Sequence, residues 1–160
     1  MADNLTPIQR SYCMSRVNGK NTSLEVIIFQ RLKQRNLKFK THVRGLPGCP
    51  DIVFKNAKVT IFIDGDFWHG YRFPQWESKL KPFWRRKIRN TIARDKKNFA
   101  KLRRMGWKVI RVWGHSIKKN LEAVIIKIEA AVTASARNKT TRSRHPSRGS
   151  QRVIQRLHSS

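Results

Sequence analysis

Between Pro50 and Gly65 the chain has little choice of fold. Asp51-Ile52-Val53-Phe54 and Val59-Thr60-Ile61-Phe62-Ile63 are runs of β-branched and aromatic residues, separated by Lys55-Asn56-Ala57-Lys58. Runs this short, with polar turn residues between them, read as two adjacent strands of a hairpin. The flanking sequence supplies the helices that must cover them. Thr22-Ser23-Leu24-Glu25 has capping-box spacing and predicts a helix to about Asn36, with Leu24, Ile28 and Leu32 on one face. Leu37, Phe39, Thr41 and Val43 alternate as a strand would, and RGLPGCP is a rigid loop. After the loop DGDFWHGYRFPQW, Pro82 opens a long helix whose inner stripe is Trp84, Ile88, Ile92, Phe99 and Leu102, ended by Gly106. A strand over 107–112 and an amphipathic helix over 117–132 complete the order α-β-β-β-α-β-α. This is an α/β three-layer core, a mixed sheet flanked by helices.

Charge narrows the function. Lys and Arg total 36 against 9 Asp plus Glu, a formal net charge of +27. An excess of that size repels itself unless a polyanion neutralises it, and nucleic acid is the default partner. No long apolar run suggests a membrane partner. The N-terminus carries no signal-like apolar stretch, and Cys13 and Cys49 are the only cysteines, so a cytoplasmic protein without a disulfide framework is expected. Residues 134–160 are basic, rich in Ser and Thr, and free of acids, which predicts a disordered tail behind a body over 22–133.

Against that background the few acids stand out. Asp51 opens one strand of the hairpin, and Asp64 and Asp66 close the other, so Asp51 and Asp64 are expected at the same end. Two carboxylates and a strand-end carbonyl form a hard oxygen site suited to Mg²⁺, with His69 in reach as a proton acceptor. The capping box alone accounts for Glu25. Asp95 falls on the apolar stripe of the long helix, where a carboxylate is costly unless paired; an Arg, Lys or His from the sheet is its expected partner. Phe67, Trp68, Phe73, Trp76, Phe83 and Trp84 mingle with Lys79, Lys81, Arg85, Arg86, Lys87 and Arg89, a mixture suited to stacking on bases while holding phosphates. Core packing is the expectation for Phe83, Trp107 and Trp113. Phe67 and Trp68 are adjacent in a polar loop and cannot both point inward, so a wedge that parts base pairs fits them better.

From about Arg10 to Val132 the chain resembles the very-short-patch repair endonucleases of the PD-(D/E)xK, restriction-endonuclease-like superfamily. The marks are Arg10-Ser11, Met14, Thr22 with Glu25, LPGCPD, IFIDGDFWHG, FWRRKI with Arg94-Asp95, and GWKVIRVW. The resemblance implies that Asp51 and the main-chain carbonyl of Ile63 bind Mg²⁺ and that His69 activates water. Glu25 and Asp64 would support them from behind. Phe67, Trp68 and Trp84 would wedge into DNA, with Met14 and Lys87 near the mispaired bases, making 1–21 a DNA-contacting arm. The implied activity is a nick 5′ of the thymine in a G:T mispair, by a monomer linked functionally to a cytosine-5 methyltransferase, in the nucleoid of a bacterial cell.

Three positions depart from the pattern. No Lys stands two residues after Asp64, leaving its task to His69. Thr91 stands where an Asn is expected, beside Asn90. The positions of a structural zinc site carry Asp66, Tyr71, Phe73 and His115, so zinc is expected to be absent and a hydrogen-bonded Asp66–His115 pair to replace it. Two other functions fit the composition: a restriction-type nuclease of the same fold without mismatch preference, and a non-catalytic basic DNA-binding module.

Overall fold

The computed structural model describes residues 22–142, with side chains as far as 137. The arm over 1–21, Met14 with it, and residues 143–160 lie outside the described residues. The elements are α1 (Ser23–Gln34), β1 (Lys40–Thr41), β2 (Ile52–Phe54), β3 (Val59–Asp64), α2 (Pro82–Arg104), β4 (Lys108–Trp113), α3 (Gly114–Lys119) and α4 (Leu121–Arg142), with two short 3₁₀ turns, Phe73–Gln75 and Glu77–Lys79, before α2. The sheet order is β1-β2-β3-β4. β2 pairs antiparallel with β1 and β3, and β4 runs parallel to β3. This is the expected mixed sheet.

Alternation along β3 builds the three layers. Val59 and Ile61 join Ile28 and Leu32 of α1 and Val124, Ile125 and Ile128 of α4 in the main core. Phe62 turns the other way, onto Phe99 and Leu102 of α2. Successive strand residues face opposite sides, so one six-residue strand is buried on both. None of the described helices is long and apolar enough to cross a membrane.

Three local differences from expectation have physical causes. The strand expected over 37–43 pairs only at Lys40 and Thr41, because β2 is three residues long and His42 leaves the strand in a left-handed conformation (φ 48°). The last helix starts early, at Gly114, and is divided at Asn120, whose side-chain oxygen accepts the Ala123 N–H at 3.0 Å and caps α4. It then runs to Arg142, so residues 134–142, expected to be disordered, are helical. That segment holds Ala134, Ala136, Arg137 and Lys139, all good helix formers.

Candidate active site

The end of β3 outruns its neighbour. Asp51 precedes β2, and its carboxylate takes the place of the missing strand: Oδ2 accepts the Ile63 N–H at 2.7 Å. The hairpin therefore seats Asp51 beside Ile63–Asp64, as its turn length predicts. A cleft of about 610 Å³ opens there, lined by Glu25, His42, Asp51, Asp64, His69 and Asp95.

The cleft has two halves. On one side Glu25 is 3 % exposed. The Thr22 hydroxyl donates to its Oε1 at 2.8 Å, while the Glu25 N–H donates to Thr22 Oγ1. The capping box is thus real, and the same carboxylate also reaches the cleft. His42, which no sequence motif marked, lies between Glu25 (Nε2 to Oε2, 3.4 Å) and Asp51 (Nδ1 to Oδ1, 3.8 Å). Burial first, then the neighbouring Glu25 and Asp64, push the Asp51 carboxyl up to about 7 against the lowering bond from Ile63.

On the other side His69 Nδ1 lies 2.7 Å from Asp95 Oδ2 and 3.3 Å from Asp64 Oδ1. Arg111 of β4 donates through Nε to Asp64 Oδ2 at 2.5 Å and through a terminal nitrogen to Asp95 Oδ2 at 3.0 Å. Asp95 has the sheet partner its place on the apolar stripe demanded, and it also holds His69. Burial would raise the Asp95 carboxyl, but His69, Arg111 and Arg94 together hold it below its usual range. Burial dominates at Asp64 and raises it in spite of His69 and Arg111. With Nδ1 held by carboxylates, Nε2 is the nitrogen of His69 left to take a proton.

The loop after β3 is seated on α2 by close packing. Gly70 has a left-handed φ of 69°, and a Cβ there would meet Ile92 at 2.4 Å. From this seat the aromatic residues spread outward. Phe67 is 43 % exposed and stacks on Trp76 at 5.5 Å. Trp68 lies 5.0 Å from Phe67 and 5.4 Å from Trp84, and Lys87 Nζ sits 5.6 Å from the Trp84 ring and 5.9 Å from that of Trp68. The sequence-predicted DNA-facing residues Phe67, Trp68, Trp84 and Lys87 therefore form one cluster beside the cleft. Phe83 belongs to it rather than to the core: it is 44 % exposed, on the outer side of the first turn of α2. Arg85 keeps the approach rigid, donating to the carbonyls of Glu77, Ser78 and Leu80 at 3.0–3.2 Å.

Known proteins share this arrangement of sequence. The family profile for DNA mismatch endonuclease Vsr matches residues 2–75. A type II nicking enzyme, V.HpaIIP, of Haemophilus parainfluenzae is 37% identical over 81% of this chain and 95% of its own length. Another, V.NmeDIP, of Neisseria meningitidis serogroup C is 35% identical over 81% of this chain and 90% of its own. The DNA mismatch endonuclease Vsr of Escherichia coli K12 is 32% identical over 71% of this chain and 74% of its own. The chain belongs to the Vsr endonuclease family. It is accordingly a DNA endonuclease.

Within this Vsr-family chain, the expected zinc positions hold a different device. Asp66 accepts the His115 main-chain N–H at 3.0 Å through Oδ2, and its Oδ1 lies 2.5 Å from His115 Nδ1. The Tyr71 ring covers His115 at 4.3 Å and Trp113 at 5.0 Å. Tyr71 turns an aromatic face to His115, Phe73 has no ligand atom in its side chain, and a structural zinc usually takes four. The pair joins the loop to the end of β4 at an exposed spot, so it adds about 0–1 kcal/mol to global stability. Its effect is local. His115→Ala should leave the melting temperature nearly unchanged and speed amide hydrogen exchange over 66–73. Elemental analysis of the purified protein is expected to find no stoichiometric zinc. A bound zinc, or unchanged exchange, would contradict the pairing.

Thr91, where an Asn was expected, turns its hydroxyl back to the Lys87 carbonyl at 3.2 Å, one turn along α2.

Proposed function

We propose that the chain nicks one strand of a DNA duplex 5′ of the thymine in a G:T mispair, the lesion left when 5-methylcytosine deaminates. The observation that carries this reading is the join of two surfaces at one loop. Residues 64–70 run from the acidic cleft straight into the aromatic cluster, so a strand held open by the cluster would bring its phosphate to the cleft. The name of the Escherichia coli relative supports action at mismatches, and the nicking-enzyme names support cutting one strand.

The cleft suits Mg²⁺. Asp51 is lifted toward neutrality by burial beside other carboxylates, the condition in which a cation is most needed. Its Oδ2 is tied to the Ile63 N–H, and a strand residue turns its N–H and C=O to the same edge, so the Ile63 carbonyl faces the same side as Asp51. Asp51 and that carbonyl would hold the ion. When bound, Mg²⁺ polarises the phosphate and steadies the leaving oxygen. His69 takes the proton of the attacking water at Nε2 while Asp95 keeps Nδ1 as the donor nitrogen. Asp64, braced by Arg111, shares in orienting His69, and Glu25 braces the His42–Asp51 side. Phe67, Trp68 and Trp84 wedge into the duplex, and Lys87 and Met14 lie near the mispair. The chain acts as a monomer in the bacterial cytoplasm, at the nucleoid, and repairs sites of a cytosine-5 methyltransferase.

Trp68→Ala should bind duplex DNA with little loss and cut it poorly, since the worth of a stacked base, about 1–3 kcal/mol, offsets the cost of parting the pair rather than adding to affinity. A large fall in melting temperature instead would make Trp68 a core residue. A heteroduplex plasmid with G:T mispairs in varied contexts tests the function. The supercoiled form should pass to open circles in Mg²⁺, and a matched plasmid should stay supercoiled. Equal nicking of both would favour the restriction-type reading, and no nicking of either would favour a binding module.

A further inference from the structure

His42 lines the cleft, and the mechanism above gives it no task. We infer that His42 is itself a ligand of the cation held by Asp51, so that the site is a mixed nitrogen–oxygen one that binds first-row transition ions more tightly than Mg²⁺. The inference rests on the reading of Asp51 as the metal-binding residue and adds a ligand to it.

The geometry points this way at three places. The first is the separation between ring and carboxylate. His42 Nδ1 and Asp51 Oδ1 lie 3.8 Å apart. That is too long for a hydrogen bond. It falls between the spans that adjacent and opposite ligands of one octahedral ion take, so both atoms can reach one ion in a distorted geometry. With bonds of about 2.1 Å, octahedral neighbours stand about 3.0 Å apart and opposite ligands about 4.2 Å. Glu25, His42 and Asp51 each offer an atom within 4.8 Å of the others'.

The second is the other ring nitrogen. Nε2 faces Glu25 Oε2 at 3.4 Å. A metal-bound histidine characteristically gives its second N–H to a carboxylate, which fixes the tautomer and the ring plane. Glu25 is in turn fixed by the Thr22 hydroxyl at 2.8 Å. The order Thr22, Glu25, His42, cation, Asp51 is thus a carboxylate–histidine–metal relay laid across α1, β1 and β2.

The third is the backbone. The His42 N–H donates to the Asp51 carbonyl at 3.2 Å, so the two residues are locked opposite each other. His42 adopts a left-handed φ of 48°, a conformation uncommon outside glycine and found where structure or function imposes it. The edge of the ring rests on Phe29 at 5.9 Å. Charge on the other half of the cleft is already matched, since Arg111 is committed to Asp64 and Asp95. Among the described residues, no Arg or Lys lies within ion-pair distance of Asp51. A divalent ion seated between Asp51 and His42 would set a positive charge beside that carboxylate. Imidazole favours Co²⁺ or Ni²⁺ over Mg²⁺, and Mg²⁺ would still work there through its abundance.

Calorimetric titration of the full chain with CoCl₂ and with MgCl₂, without DNA, tests this. His42→Asn removes the ring nitrogen but tolerates the left-handed backbone. It should weaken Co²⁺ binding about tenfold or more and change Mg²⁺ binding less than about threefold, since imidazole matters to the softer ion. Asp51→Asn should remove the binding of both. Cobalt affinity in His42→Asn within threefold of wild type would overturn the ligand assignment and leave Asp51 standing. Cobalt binding that survives in Asp51→Asn would overturn the site altogether. A second readout needs no stable variant at position 42. The Co²⁺-loaded wild type should show a hyperfine-shifted imidazole N–H proton resonance that persists in His69→Ala. Its absence there would also overturn the proposal.

Discussion

Asp51→Asn should lose cleavage by at least about 10³-fold, a barrier increase of about 4 kcal/mol, while duplex binding survives, because phosphate contacts supply most of the affinity. The same change should stabilise the metal-free fold. Burial holds the Asp51 carboxyl at about 7 in the folded protein, against 3.8 in an open chain. Between those values the folded protein keeps a proton that the unfolded chain releases. Stability therefore falls as pH rises through the window, and the full deficit is present above pH 7. Asparagine cannot ionise, yet its Oδ1 can still accept the Ile63 N–H. The gain should be about 1–3 kcal/mol at pH 8, below the limit set by about 1.4 kcal/mol per pKa unit, and should vanish near pH 4. The same proton competes with a cation, so cleavage at limiting Mg²⁺ should rise with pH between about 6 and 8. Thermal melts at pH 4 and 8 beside cleavage rates check both statements. Unchanged stability at pH 8 would mean that Asp51 is ionised without penalty.

His69 should matter nearly as much. His69→Ala should slow cleavage by about 10²–10⁴-fold, the usual worth of a positioned general base. Asp95→Asn separates the role of the ring from that of its orientation. The asparagine amide can donate to Nδ1, which drives the proton onto Nε2 and blocks the nitrogen that must accept one. Cleavage should fall by about tenfold or more while the ring stays in place, a loss of the accepting nitrogen rather than of the ring. Single-turnover rates with bound duplex distinguish these effects from binding. An Asp95→Asn rate equal to wild type would show that Arg111 alone needs Asp95.

The parts of this site differ in how readable they were. Asp51 and Asp64 were legible because acids are scarce in so basic a chain and both sit at strand ends that a short turn brings together. Asp95 was legible as an anomaly, a carboxylate on an apolar helix stripe. Arg111 is its counterpart: a cation inside the apolar strand GWKVIRVW calls for a buried acid, and the two signals meet in one ion pair. Glu25 stayed ambiguous because Thr22 explains it locally, and the structure shows the helix cap and the cleft using the same side chain. His42 was not legible. Alternation over 37–43 placed it on a strand, and the left-handed backbone that turns it toward Asp51 leaves no mark in composition. Only the register of β1 on β2, which sets His42 against Asp51, could have found it. Phe83 failed for another reason. Nothing in sequence separates an aromatic that packs inward from one placed outward by a helix's first turn. The extent of the last helix was masked by Ser, Thr and Arg, which serve a solvated helix and a disordered tail alike.

The account stands most directly on where the break falls. G:T duplexes with randomised flanks, both strands labelled, can be cut in Mg²⁺ and the product ends sequenced. The predicted result is a break in the thymine strand alone, immediately 5′ of the mispaired base, within one narrow sequence context and absent from the matched G:C library. Breaks in both strands, or breaks at equal frequency in the matched library, would contradict it.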